Sequence, residues 1–150
     1  VIYYDYGNQQ YDFLVCGLKK VGDKVTATKW KKFSEVCFPI NIDENWKLNW
    51  INQRQVLPNE VVLDLEEKEK FEQIVKEFKR LNWKFSAFST GSRGYHIHIF
   101  FKKELTEKQK IKVIKHFGGD TQKASNKTMI ALEYTPHWKS SKVKELIEWK

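Results

Sequence analysis

Ser89–Phe101 reads STGSRGYHIHIFF, and its two halves follow different rules. The first half is a turn rich in Gly and Ser with a single Arg. In the second, Tyr95, Ile97 and Ile99 alternate with His96, His98 and Phe100, the period-two pattern of a strand, so one face of that strand carries two imidazoles. Gly91 and Gly94 remove side chains where a backbone must turn tightly or let a phosphate approach, and free N–H groups in such a turn form an anion-binding concavity. A turn able to hold phosphate therefore leads into a strand that presents histidines. The plain alternative is a Gly/Ser turn before a core strand whose histidines are merely hydrogen-bonded. Two acids upstream, Asp64 and Glu66, separate the readings.

Around this stretch the apolar spacing lays out a core. EVVLDL (60–65) has strand length and is followed by a helical pattern with Phe71, Ile74, Val75, Phe78 and Leu81 on one face. WKFSAFS (83–89) and YHIHIFF (95–101) read as the next two strands. Thr106 and Gln109 form a capping-box pattern for a second helix, with Ile111, Ile114 and Phe117 inward and Gly118 and Gly119 at its end. TMIALEY (128–134) is the fourth strand. The expected fold is therefore α+β, with an RRM-like or ferredoxin-like βαββαβ core. Right-handed crossovers would place the first and third strands at the centre and the fourth beside the first. Helices would cover one face and leave the other for a site or for the segment before it.

That segment, 1–58, reads as a β-rich module. VIYYDY (1–6), YDFLVCGL (11–18) and KVTATKW (24–30) are strand-like runs, parted by residues 7–10 and by the turn Val21, Gly22 and Asp23. Asp43–Gln55, with Trp46, Leu48, Trp50 and Ile51, fits helix and loop equally. Pro58 and Asn59 punctuate. A single domain, 1–150, is expected, with residues 59–150 as the core and a C-terminal helix at its end. The chain starts without Met and stops inside a helical pattern, so a domain cut from a longer protein is expected.

The net charge is +8, with 27 Lys and Arg against 19 Asp and Glu, and aromatic residues make up 15 %, six of them Trp. Basic residues interleaved with aromatics suit a partner that offers phosphates and bases, so nucleic acid is the first expectation and nucleotides the second. Cys16 and Cys37 match neither a redox nor a zinc spacing. No zinc is expected, and a reducing, cytoplasmic setting is. No apolar run approaches the ~20 residues of a membrane span, and the start is not signal-like.

Asp64 and Glu66 stand two apart at the end of a strand, so both carboxylates point to one side of the sheet. His96 and His98 do the same on the neighbouring strand. Glu133 ends the fourth strand, which would flank Asp64. Three carboxylates beside a phosphate-binding turn suit phosphoryl transfer with two hard divalent cations, Mg²⁺ or Mn²⁺. Acids at a solvated strand end, or before a helix whose dipole favours them, are the alternative, and that account fits Glu67 well.

These residues carry a family resemblance. VVLDLE (61–66) resembles motif I of the archaeo-eukaryotic primase superfamily, a hydrophobic strand ending in Asp-x-Asp or Asp-x-Glu. TGSRGYHIHIFF (90–101) resembles its motif II, Ser-Gly-x-Arg/Lys-Gly-x-His before an apolar strand. The resemblance implies that Asp64 and Glu66 bind the metals and that the turn Ser89, Thr90, Gly91, Ser92, Arg93 and Gly94, with His96, holds the phosphates of an incoming nucleotide. The motif's hydroxyl falls on Thr90, with Ser89 just before it. Glu133 is the best match to the third metal-binding acid and Asp120 the second best. PHWKSSK (136–142) resembles the segment that follows motif III, which puts His137 and Lys139 near the triphosphate. The implied activity is a DNA primase/polymerase, a nucleotidyltransferase that joins nucleoside triphosphates on a single-stranded DNA template with two divalent ions. A fused or associated helicase or other replication module would be its partner. Lacking the zinc-binding cysteines of the cellular small subunit, the chain resembles the minimal plasmid, viral or mobile-element members. Ribo- versus deoxyribonucleotide preference stays open.

Two other readings compete. His96 and His98 also satisfy the His-hydrophobic-His rule of HUH replication-initiator nickases, whose nucleophile is a Tyr on a later helix. Here the sole later tyrosine is Tyr134, in a strand-like run before Pro136. An RRM-like sheet that binds nucleic acid through Tyr95, Ile97 and Phe100 without chemistry is the third.

Overall fold

Glu60–Leu65 is a strand with two covered faces: Val61, Leu63 and Leu65 are buried on one side, Glu60 and Val62 on the other. The structure, a computed structural model, describes residues 12–36, 46, 50–91, 93–125 and 127–149. The expected strand 1–6, the turn after it, Ser92 and most of the 43–55 region lie outside the described residues.

Along the chain, β1 (Leu14–Cys16), β2 (Leu18–Val21), β3 (Lys24–Ala27), β4 (Lys31–Lys32), α1 (Phe33–Val36) and β5 (Gln53–Gln55) form the N-terminal module. The run expected as one strand over 11–18 breaks at Gly17. A Cβ there would stand 2.1 Å from the Trp50 carbonyl oxygen, so that close approach requires glycine. β1 enters a sheet, whereas β2 turns out to pair with β3 in an exposed hairpin, Val21 opposite Lys24 across Gly22 and Asp23.

β6 (Glu60–Leu65), α2 (Lys68–Arg80), β7 (Ser86–Ser89), β8 (Tyr95–Phe100), α3 (Glu107–Phe117), a 3-10 turn at Thr121–Ala124, β9 (Met129–Ala131) and β10 (Glu145–Trp149) follow. α2 forms where apolar residues recur at helical spacing and buries Phe71, Ile74, Val75 and Phe78. α3 starts on the Thr106/Gln109 capping box and stops at Gly118, whose φ of 72° is the left-handed cap that glycine adopts freely.

The fold is α+β. One antiparallel sheet runs β10-β7-β8-β6, and β6, α2 and β7 form a crossover with β8 between the two strands. Its outer face, Val61, Leu63, Leu65, Ala87, Ile97 and Ile99, packs under α2 and α3. Its inner face meets the second sheet, β4-β1-β5-β9, where Phe88 joins Phe13, Val15, Ile51 and Leu132, and Val62 joins Val56 and Ile130. Helices, sheet and sheet make three layers.

Two expected elements differ. The run 128–134 does not flank β6. Only Met129–Ala131 is strand, and its backbone partners are Gln53–Gln55; the 3-10 turn packs against β6 instead. Glu133 thus lies in the turn after β9, where Tyr134 takes a φ of 66°. The C-terminal helix is replaced by β10. Glu145–Trp149 meets the open edge of β7, and backbone pairing there, with a bulge between Leu146 and Glu148, wins over the helical spacing. Among the described residues no helix is long and apolar enough to cross a membrane.

Candidate active site

The β6–β8 ladder sets Asp64 directly opposite His96 and Val62 opposite His98. Strand alternation turns Glu60, Asp64, His96 and His98 to the inner face, towards the N-terminal sheet. His96 Nε2 lies 3.5 Å from Asp64 Oδ1, a long contact. Burial raises the Asp64 carboxyl, but the His96 hydrogen bond and the charges of Lys123 and Lys144 outweigh it and leave its pKa below the ordinary value. His96 is lowered by burial and by Lys144, so its ring is neutral at pH 7. Facing an ionised Asp64, Nε2 carries the proton. Nδ1 is then a lone-pair acceptor, buried and without a hydrogen-bond partner among the described residues.

The turn before β8 is closed from inside. Thr90 N–H donates to Gly94 O at 3.3 Å, and its hydroxyl donates to Arg93 O at 3.0 Å. Gly91 and Gly94 have φ of 76° and 92°, and a Cβ on either would stand 2.3 Å from a backbone oxygen, that of Lys142 or of Leu65. The glycines therefore let the turn wedge between the end of β6 and the segment that leads to β10. Arg93 stays exposed at its tip.

These parts meet at a cavity of about 240 Å³ lined by Asp64, Thr90, Arg93, His96, Lys123, His137 and Trp138, among others. One carboxylate faces two cationic side chains and two imidazoles. His137 Nδ1 accepts from Lys139 N–H at 3.1 Å, and burial, with Lys139, lowers its pKa. Lys139 itself is exposed and lies over the Trp138 ring, 4.9 Å from its centroid. Ser89, Gly91 and Gly94 line a separate cavity on the turn's other side, with Tyr95 and Lys142.

Glu66, just past β6, is exposed. With Asp64, Glu67 and Asp120 it borders a further cavity of about 420 Å³, whose lining also includes Gly118, Gly119 and Lys70. Asp120 also caps the 3-10 turn by accepting from Gln122 N–H at 3.0 Å. Among the described residues no group of three or more His, Cys, Asp or Glu side chains could by itself hold a metal ion. Two carboxylates with room beside them still fit Mg²⁺, which commonly takes one or two protein acids and completes its shell with phosphate oxygens and water.

Glu133 and His98 stand elsewhere, in a fully buried charge network between the sheets. Arg54 bridges Glu60 (2.8 and 2.7 Å) and Glu133 (2.7 and 3.2 Å), and Lys144 Nζ bonds Glu133 at 3.0 Å. Lys144 also lies 2.9 Å from His98 Nε2, and His98 Nδ1 lies 2.7 Å from Glu60. An ammonium only donates, so Nε2 accepts and the proton sits on Nδ1. Burial, with Lys144, lowers His98 to about 4, and Arg54 and Lys144 overcome burial to hold Glu133 near 2. Both ring nitrogens of His98 are engaged, which leaves none for the paired-histidine metal site of a nickase. Tyr134, half-buried edge-on against Phe88, sits on no helix.

Sequence reasoning passed over Arg54, Glu60, Lys123, Lys144 and Trp138. Glu60 was within reach, since it heads the same alternation as Asp64; the others carry no local signal.

No family model matches the chain, and no curated protein or solved structure does either. The site therefore stands on its own geometry and on the two motifs.

Proposed function

We propose that the chain is the catalytic domain of a primase-polymerase-type nucleotidyltransferase, which adds nucleotides to a strand paired with single-stranded DNA. One observation carries the reading. A single cavity gathers Asp64, from the run that resembles motif I, with Thr90, Arg93 and His96, from the run that resembles motif II, and His137, from a segment that resembles the one following motif III. The β6–α2–β7 crossover with β8 inside it supports the RRM-like half of that resemblance.

In this scheme a 3′-hydroxyl oxygen bonds to the α-phosphorus of a nucleoside triphosphate as its proton passes to solvent, and pyrophosphate leaves with the electrons of the broken P–O bond. Arg93, exposed, and Lys123, half-buried, neutralise the triphosphate from the cavity wall through charge-assisted hydrogen bonds to its oxygens. Thr90 holds the turn that carries Arg93. His96, with its unpartnered Nδ1, is poised to bond a ligand group there. Asp64 and Glu66 would hold the divalent cations, which when bound offset charge on the phosphate oxygens and align them with the attacking hydroxyl. Asp120 borders the same cavity as these two acids, whereas Glu133 is committed to Arg54 and Lys144, so Asp120 is the better placed third acid.

The test is incubation with Mn²⁺ or Mg²⁺, single-stranded DNA and labelled nucleotides, with and without a primer. Extension or priming supports the proposal. A covalent DNA adduct through Tyr134, or binding with no incorporation under any condition, overturns it.

A further inference from the structure

Beside the Asp64 cavity, and sharing His137 and Trp138 with it, lies a second cavity of about 350 Å³ to which Trp46, Trp50, Lys19 and Lys20 contribute. Its chemistry is aromatic and cationic. The His137 and Trp138 rings are stacked, 5.9 Å apart and 18° from parallel, and Lys19 Nζ sits 4.0 Å over the Trp50 ring. Lys19 and Lys20 come from β2, and Lys24 is exposed on the paired strand.

Two features of this cleft suit a ligand. Trp50 takes a φ of 59°, a left-handed conformation that strains a bulky residue, yet the ring it presents is 39 % exposed. The surroundings enforce that geometry, through the Trp50 N–H bond to Trp46 O at 2.7 Å and the glycine that admits the Trp50 carbonyl. The Trp46 indole N–H is buried without an acceptor among the described residues. The exposed π face of Trp50, the lysines alongside and an indole N–H without an acceptor among the described residues suit a ligand with flat rings, acceptor atoms and negative charge.

We infer that this cleft binds single-stranded nucleic acid, with bases stacked on Trp50 and Trp138 and the backbone phosphates beside Lys19 and Lys20. Free strands expose both base faces, and every base can stack, so binding tolerates any sequence. The common wall at His137 and Trp138 would lead the bound strand to the Asp64 cavity. Binding through the cleft needs neither metal nor triphosphate and so stands apart from the proposed catalysis.

The experiment is fluorescence anisotropy of a labelled oligothymidine with EDTA present and no nucleotide. Trp138→Ala and Trp50→Gly should each weaken binding by about 5- to 100-fold, the loss of one stacked base. Trp50→Gly relieves the left-handed strain but also removes a partly covered ring, so circular dichroism and the thermal midpoint are read beside binding for both tryptophan variants, and weakened binding by a variant still folded at the assay temperature separates lost binding from lost folding. Changing Lys19 and Lys20 to Ala should flatten the log–log salt dependence by about 1.4, at ~0.7 per phosphate contact on a single strand. Unchanged affinity in both tryptophan variants, equal affinity for the matching duplex, or equal affinity for polyglutamate would overturn the inference. Intact binding with no nucleotide incorporation would overturn only the catalytic proposal.

Discussion

Arg54→Met tests the device that joins the two sheets. Arg54 is wholly buried and donates four charged hydrogen bonds, two to Glu60 on β6 and two to Glu133 after β9. Methionine refills much of the stem volume, so the cavity left behind is small and the change is mainly electrostatic. Glu133 keeps Lys144, while Glu60 keeps the Leu57 N–H at 3.0 Å and His98. Two buried carboxylates then face one buried ammonium, and breaking such a set by removing one partner costs about 3–5 kcal/mol. A chain of this length has roughly 8–22 kcal/mol of stability at 0.05–0.15 per residue, so the variant folds. Its midpoint should fall by about 6–20 °C, at 2–4 °C per kcal/mol. The pH dependence fixes the cause. In the native protein the pKa of Glu60 and of Glu133 lies below the ordinary 4.5, so their contribution is present above that pH and is lost as pH falls through the lowered values, for Glu133 towards about 2. Without Arg54 burial raises the Glu60 pKa, so its penalty is relieved as pH falls, and the gap between variant and native protein narrows from pH 7.5 to pH 5. Adding Glu60→Gln should recover part of the loss. Urea titrations followed by tryptophan fluorescence measure all of this; a loss below about 1 kcal/mol, or one identical at both pH values, refutes the argument.

Asp64→Ala and Glu66→Ala should each lower nucleotide incorporation about a hundredfold or more with little change in thermal midpoint, since neither side chain is wholly buried; normal incorporation by the double variant would remove the metal assignment. Acid should destabilise the fold through His98. The unfolded chain takes up this proton near 6.5 and the folded chain only near 4, so stability drops by about 3 kcal/mol across that interval. A flat stability profile from pH 6.5 to pH 4 would show that the ring is not held neutral. Triphosphate binding at pH 7 should leave His96 neutral, because burial and Lys144 lower its pKa to about 3, far below that pH. Calorimetry in buffers of different ionisation enthalpy measures any proton uptake, and an uptake that His96→Asn abolishes would overturn this.

The parts of this fold written in local signals were legible in the sequence. The apolar spacing of α2, the Thr106 capping box, Gly118 and the alternation of Tyr95–Phe100 each fix their own element, and pairing by alternation puts Asp64 and His96 on one face. What failed depended on partner choice. Met129–Ala131 is three residues long and could have paired with either of two edges; Gln53–Gln55, a strand with no hydrophobic periodicity, took it. The β10 segment repeats apolar residues at a spacing that also suits one helical turn, and only the open edge of β7 decides the matter. Charged residues read as exposed by default, so Arg54 and Lys144 were invisible until another chain segment supplied their carboxylates.

That buried network has a bearing on the site above it. β6 has a single strand partner among the described residues, so the position of Asp64 relative to the N-terminal sheet is not fixed by backbone bonds on its far side. Arg54 supplies that constraint from β5 by gripping Glu60, four residues back along the face that Asp64 shares. An apolar contact would bury as much area at less electrostatic cost, but it could slide; five directional bonds from one guanidinium, including one to the Gln55 carbonyl at 3.1 Å, cannot be met in a second register. Lys144 adds a field as well as a bond. Its charge lowers the pKa of both Asp64 and His96, which favours an ionised acid beside a neutral ring. The same charge set that positions β6 therefore holds Asp64 in the form that binds a cation and His96 in the neutral form whose Nδ1 can accept a hydrogen bond.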